Sequence, residues 1–271
     1  MNQLLEKALD TIISRFNTSR ELAIAYLIVS ALVVIMALVA AAISVLVWIR
    51  YARANRMGIK NQMNGMDTCR YALDRAELPY VKVKSGFLVE FLFGNYYNIY
   101  TKTVYLRKLF GKIDKTRSVT STALALQKAA VAKLCESGDR KAVIRNRFSI
   151  LAIFGPLLFI PFVLIGFLLD FYVFKTHSGQ FYSFLGLGAG GLLLLIGLVV
   201  TFLNIPVEKK ANQMALEMAR DFDLATEEEI QVMEKVFQAY ILQYICNFIL
   251  EVLRVIQFVL EIVMSSNNKK D

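Results

Sequence analysis

The chain has 271 residues, 56% of them hydrophobic, with 31 Lys and Arg against 22 Asp and Glu, one His and a formal net charge of +9. A mean hydropathy of +0.50 is too apolar for an ordinary soluble domain, and one His excludes any site built on two imidazoles. The cysteines, Cys69, Cys135 and Cys246, are far apart and form no CxxC pair. That argues against a disulfide framework and leaves them as small buried hydrophobes.

Residues 1–19 read as an amphipathic N-terminal helix. Leu4, Leu5, Ala8, Leu9, Ile12, Ile13 and Phe16 share one face, with Asn2, Gln3, Glu6, Lys7, Asp10 and Arg15 opposite. Such a helix suits a membrane interface or a partner. Thr18 with Glu21 has capping-box spacing and is expected to start the next helix. Residues 20–50 then form a first transmembrane helix. Residues 22–49 carry no charge, and about 20 residues suffice to cross hydrocarbon roughly 30 Å thick. The run follows a mixed-charge segment and is too long for a signal-peptide core, so it reads as a permanent anchor.

Residues 51–147 form a basic soluble insert. Asn64 and Asp67 are spaced as a helix cap, with the helix ending near Glu77 before Pro79. Residues 80–84 alternate apolar and basic, as a half-exposed strand does, and residues 101–106 read as a second strand. The intervening segment holds Phe87, Leu88, Phe91, Leu92 and Phe93 and has no clear pattern; a buried role outweighs a binding platform. A central helix follows from Arg117, with Ser118 near its start, and ends at Ser137-Gly138.

Residues 148–207 read as a transmembrane hairpin. Residues 148–169 and 178–207 are uncharged; Pro156 and Pro161 are candidate kinks, and Gly186, Gly188, Gly190 and Gly191 allow close helix packing. Asp170 is the acid at the outer end of the first hairpin helix, as expected for an interfacial helix-end charge. Residues 208–235 read as a cytoplasmic helix region, with Thr226 and Glu229 spaced as a capping box that opens the last long helix. Residues 236–264 are a membrane-embedded or interfacial amphipathic segment, and 265–271 a polar tail. Its polar stripe, Gln243, Asn247, Glu251, Arg254, Gln257 and Glu261, is a candidate partner surface.

The charge is unevenly placed. Residues 50–147 hold 20 Lys or Arg and 7 Asp or Glu, a local charge near +13. Short basic flanks stay cytoplasmic, which places this insert in the cytoplasm and the N-terminus outside. Topology and attraction to anionic lipid are favoured for the excess charge over nucleic acid or an acidic protein partner, and no nucleic-acid partner is expected. The fold class expected is mainly α: a polytopic membrane protein with three to four transmembrane or membrane-embedded helices and a small cytoplasmic α+β insert.

Three blocks in fixed order carry a resemblance. They are Thr101-Lys102-Thr103-Val104-Tyr105-Leu106; Arg117-Ser118-Val119 followed by Ala123, Ala125, Ala129 and Ala132; and Pro206-Val207-Glu208 leading into Ala211, Ala215 and Leu216. Together they resemble a family of bacterial membrane zinc metallopeptidases, over roughly residues 55–260, which implies that the cytoplasmic α+β insert is zincin-like. In that family the second block contains HExxH, and the third supplies a further zinc ligand. This chain has Gln127, Lys128 and Val131 where the two histidines and the catalytic glutamate would stand, and only Glu208 matches a ligand. The chain's one histidine, His177, is expected on the far side of the membrane.

A catalytic zinc needs about three protein ligands and an acid as general base. The resemblance therefore implies a degenerate zinc site at Gln127, Lys128, Val131 and Glu208, with no metal, no cofactor, no catalytic residues and no enzyme activity. Charge balance suggests that the Lys128 ammonium pairs with Glu208 in the metal's place. The function expected is a non-catalytic pseudopeptidase, acting as a scaffold or regulatory subunit of a membrane protein complex in the bacterial inner membrane. Its partners would be the bilayer and other membrane subunits, an active paralogue among them, in an oligomer. The alternatives are a membrane hydrolase with a relocated site, such as a Ser/Lys dyad, and a subunit of a transport or channel assembly that uses Asp170.

Overall fold

A computed structural model describes residues 2–85, 96–108, 112–173 and 181–267. The architecture is mainly helical with one small sheet. The chain divides into two compact units: Met1–Val45 with Ile245–Asp271, and Leu46–Tyr244. Among the described residues two helices, Arg20–Asn55 and Phe181–Asp221, are long and apolar enough to cross a membrane.

The smaller unit contains helix α1 (Asn2–Phe16), most of α2 (Arg20–Asn55) and the end of the last helix. The Leu22 amide donates to Ser19 Oγ at 3.4 Å, and the Ala23 amide donates to the Ser19 carbonyl. The cap is thus Ser19 rather than Thr18, because the helix begins one residue later than the Thr18–Glu21 spacing implies. Arg20 reaches back to Glu6 at 3.0 Å in an exposed ion pair, a contact worth at most about 1 kcal/mol.

In the larger unit, α3 (Gly65–Arg75) starts at the Asn64 cap, whose side chain accepts from the Asp67 amide. Cys69, Ala72 and Leu73 line its buried face at i, i+3 and i+4. Three strands follow, β1 (Lys82–Ser85), β2 (Tyr96–Asn98) and β3 (Thr103–Leu106). The sheet order is β1-β3-β2, with β3 parallel to β1 and antiparallel to β2. Val104 sits opposite both Val83 and Tyr97. β2 lies within the segment that had no clear sequence pattern; at three residues it is too short to show alternation. Phe87, Leu88, Phe91, Leu92 and Phe93 lie outside the described residues.

The central helix α4 (Val119–Glu136) is buried on nearly every side. Ser118 caps it, accepting from the Ser121 amide at 3.1 Å. Alanines at 123, 125, 129, 130 and 132, all fully buried, let neighbours approach from several directions. One neighbour is α3, where a Cβ on Gly65 would lie 2.7 Å from Ser121 Oγ of α4. The C-terminal end of α2 is another: the Thr120 hydroxyl donates to the Tyr51 carbonyl at 3.1 Å, and that of Ser118 to Asn55 Oδ1 at 2.8 Å. Gly138, with φ of +79°, ends the helix in the left-handed conformation that glycine tolerates. A short helix the sequence reading did not separate, α5 (Arg140–Arg147), then starts at the Asp139 cap.

Helix α6 (Ser149–Leu168) continues into a π-turn (Leu169–Val173), and α7 (Phe181–Asp221) returns against it. The crossing is close. A Cβ on Gly166 would strike the Tyr182 carbonyl, and one on Gly186 would strike that of Phe162. Gly188 and Gly191 face open space, whereas the crossing needs the missing side chain of Gly186 and Gly190 is buried. Asp170 is buried and accepts from the backbone amides of Tyr182 and Ser183 at 3.1 and 2.6 Å, capping the first turn of α7. Pro206 lies inside α7 without ending it, and the helix runs on through Glu208.

The last helix, α8 (Glu227–Asn267), opens at a reciprocal box. The Thr226 amide donates to Glu229, and the Glu229 amide to Thr226 Oγ1.

Candidate functional site: a buried ion cluster

Five polar residues on two helices come together inside the larger unit. On α4, Gln127 and Lys128 occupy adjacent positions, with Val131 one turn on. On α7, Asn204, Glu208 and Asn212 recur every four residues and so share one face. Gln127 donates to Asn212 Oδ1 at 2.6 Å, and Lys128 Nζ donates to Glu208 Oε1 at 3.3 Å. The pairing expected from charge balance is therefore present in the fold. Glu208 is fully buried, and Lys128 and Gln127 are 6% and 3% exposed. Val131 is fully buried and contributes only an apolar wall.

A third charged residue completes the cluster. Arg145 of α5 donates through Nη2 to Glu208 Oε1 and through Nε to Asn204 Oδ1, the latter at 2.8 Å. In the sequence Arg145 is one of several basic residues ahead of an apolar run, and nothing in that setting marks it as inward-pointing. The need for it was legible only indirectly, since a fully buried carboxylate calls for more than one donor. The other oxygen of Glu208, Oε2, and the Asn212 amide nitrogen have no hydrogen-bond partner among the described residues.

The cluster has one carboxylate and two cations, and so an excess of positive charge. Arginine stays protonated in proteins, so Lys128 is the member able to give up its proton. Burial pushes the Lys128 ammonium below the ordinary lysine value; the charge of Glu208 opposes that, and the nearby Arg145 adds to it.

A second polar cluster lies at the end of α4. Glu136 accepts from Tyr97 at 2.7 Å, and from Tyr80 and Lys102 at 2.9 Å each. Burial works against its ionisation, but these three donors outweigh burial and hold its carboxyl below the usual range. In the smaller unit, Gln257 donates to the Tyr26 and Ser30 hydroxyls, and Tyr26 donates to Glu261 at 2.7 Å. Gln257 and Glu261 of the polar stripe are therefore half-buried against α2, Gln243 and Glu251 are half-buried, and Asn247 and Arg254 are exposed. His177 lies outside the described residues.

A family model described as "Putative neutral zinc metallopeptidase" matches residues 28–263. The chain belongs to this family. No curated protein and no solved structure matches it. Membership in this zinc metallopeptidase family corrects the expectation that the chain is not an enzyme: the family is described by a peptidase activity, and the match carries no mark of an inactive member.

The metal that the family name implies does not fit the ion cluster. Catalytic zinc takes three nitrogen, sulfur or carboxylate ligands and keeps one open position. The cluster offers one carboxylate, whose Oε1 already holds Lys128 and Arg145. A dication there would face the fixed charge of Arg145 and the Lys128 amine at short range. Gln127 is committed to Asn212, and Val131 has no donor atom. Among the described residues, no group of three His, Cys, Asp or Glu is placed to hold a metal ion.

Proposed function

We propose that this member of the zinc metallopeptidase family serves as a membrane-embedded scaffold or regulatory subunit of a membrane protein complex. The observation that carries the reading is the Lys128–Glu208–Arg145 cluster. At the point where the family's zinc chemistry would be housed, α4, α5 and α7 are tied together by internal ion pairs. That directs attention to the surface of the molecule. Along α2, Ile28, Val34, Ile35, Leu38 and Trp48 are all more than half exposed, which suits lipid or a neighbouring transmembrane helix. In this reading the chain is multi-pass in the bacterial inner membrane, with its N-terminus outside and its basic region in the cytoplasm, as the distribution of Lys and Arg favours.

The family match favours a second reading, peptide hydrolysis. On this chain it would call on groups other than Gln127, Lys128 and Val131. One experiment separates the two. The full chain is purified from its native membranes in mild detergent, proteins that accompany it are quantified, and the same preparation is assayed for peptide hydrolysis with and without added zinc. A membrane protein recovered in fixed stoichiometry supports the scaffold. Recovery of the chain alone, together with zinc-dependent hydrolysis, overturns it in favour of the peptidase.

A further inference from the structure

Beside the Glu136 cluster the larger unit has an open cavity of about 470 Å³, lined among others by Ile99, Lys102, Glu136, Arg140, Ile144 and Arg147. Arg140, Ile144 and Arg147 stand at i, i+4 and i+7 on α5, so both guanidiniums lie along the one helix face that walls the cavity. Both arginines are exposed, and neither has a side-chain ion pair among the described residues. The nearby carboxylates are already engaged. Glu136 is held by Lys102, Tyr80 and Tyr97, and Asp139 by Lys210 at 2.7 Å. The cavity thus presents unneutralised positive charge with fork geometry suited to phosphate.

Its position narrows the ligand. Arg147 is two residues ahead of the uncharged helix Ser149–Leu168. Tyr96 shares a hydrogen bond with Ser149 Oγ at 3.0 Å, and Tyr100 donates to the Arg147 carbonyl at 3.4 Å. Tyrosines set against the root of an apolar helix are the pattern of a membrane–water boundary. Ile144, Phe148 and Ile150, each more than 40% exposed, continue an apolar edge from the cavity onto that helix. The geometry points to a binding site for the phosphodiester headgroup of an acidic phospholipid, with Arg140 and Arg147 on the phosphate and the Ile144–Phe148–Ile150 edge against an acyl chain. This rests on the membrane reading above, and free phosphate shares the headgroup's chemistry.

The test uses the full chain in nanodiscs that mix phosphatidylcholine with phosphatidylglycerol, followed by detergent release and native mass spectrometry of retained lipid. The wild type retains phosphatidylglycerol in preference to phosphatidylcholine. R140Q/R147Q lowers that retention by roughly 30-fold, at about one unit of headgroup attraction per cation. K82Q/K84Q removes the same charge from the exposed strand β1 and leaves retention unchanged. R140K/R147K keeps the charge without the fork and retains an intermediate amount. Equal retention in wild type and R140Q/R147Q, or no preference in the wild type, overturns the site. Arg-dependent stabilisation by millimolar inorganic phosphate with no lipid preference overturns the lipid assignment. Resistance of both proteins to alkaline extraction from membranes is scored in parallel, so that failure of the site is distinguishable from failure of the membrane reading.

Discussion

Replacing Glu208 by Gln should destabilise the fold far more than replacing Lys128 by Met, although the two residues form one ion pair. Glu208 is fully buried and holds two cations, Lys128 at 3.3 Å and Arg145. At an effective dielectric near 20, one such pair is worth about 5 kcal/mol before desolvation is counted. Glu208→Gln removes both attractions and leaves a buried guanidinium that cannot shed its charge. The expected cost is about 3–5 kcal/mol, or on the order of 10 °C in Tm. Lys128→Met instead removes the surplus charge and leaves Arg145 and Glu208 matched one to one, so its cost should stay within about 1 kcal/mol. Thermal unfolding in mild detergent, read by a thiol-reactive dye that reports exposure of the buried Cys69 and Cys135, measures both. The pH dependence supplies a second check. Because Lys128 is held below the ~10.4 of an unfolded lysine, the native state binds fewer protons between its two values. Its penalty is full below the folded value and fades as pH rises towards the unfolded one, so wild type gains stability there relative to Lys128→Met. A Lys128→Met protein destabilised as much as Glu208→Gln would refute the account of an overcharged cluster.

Three further outcomes follow from the fold. Glu136→Ala strands the buried Tyr97 hydroxyl and should cost about 1–3 kcal/mol by the same unfolding assay. Because the Glu136 carboxyl is lowered, its stabilisation is complete above an unfolded value of ~4.3 and is lost as pH falls through the folded value; the variant should lack that acid-side loss. Ser118→Ala removes the cap of α4 and the bond to Asn55, so an unfolding loss of about 1–2 kcal/mol is expected. Gly186→Val places a side chain against the Phe162 carbonyl and should separate α6 from α7, seen as loss of a disulfide engineered across that helix pair.

Much of the local structure was written in short-range chemistry. Asn64, Ser118 and the Thr226–Glu229 box each start a helix where their spacing says one should start, because a cap needs only a side-chain oxygen and the amides two or three residues ahead. The two candidate spans were legible as uncharged runs, because exclusion of charge from hydrocarbon acts residue by residue. Where two caps compete, as at Thr18 and Ser19, the sequence pattern misplaces the start by one residue. β2 escaped notice for a related reason: its three residues become a strand only by pairing with β3.

At the candidate site, Gln127, Lys128, Val131 and Glu208 came from the resemblance, and the Lys128–Glu208 pair came from charge balance. Arg145 and Asn204 did not emerge from the sequence, although Glu208 is bonded to the first and the first to the second. Gln257 and Glu261 belong to the stripe expected as a candidate partner surface, and both bond to one tyrosine on α2, a partner no pattern along the chain names. The sequence by itself determined where the capped helices start, that the runs in α2 and α7 are apolar enough to span and which family the chain resembles, since periodicity, capping and charge exclusion are properties of neighbours along the chain. Tertiary structure alone decided which of many basic residues is buried, which glycine needs to lack a side chain and which carboxylates are already engaged. Those outcomes depend on residues 60 to 80 positions apart meeting in space, as Arg145 and Lys128 do at Glu208, and no local pattern in the chain records such a meeting.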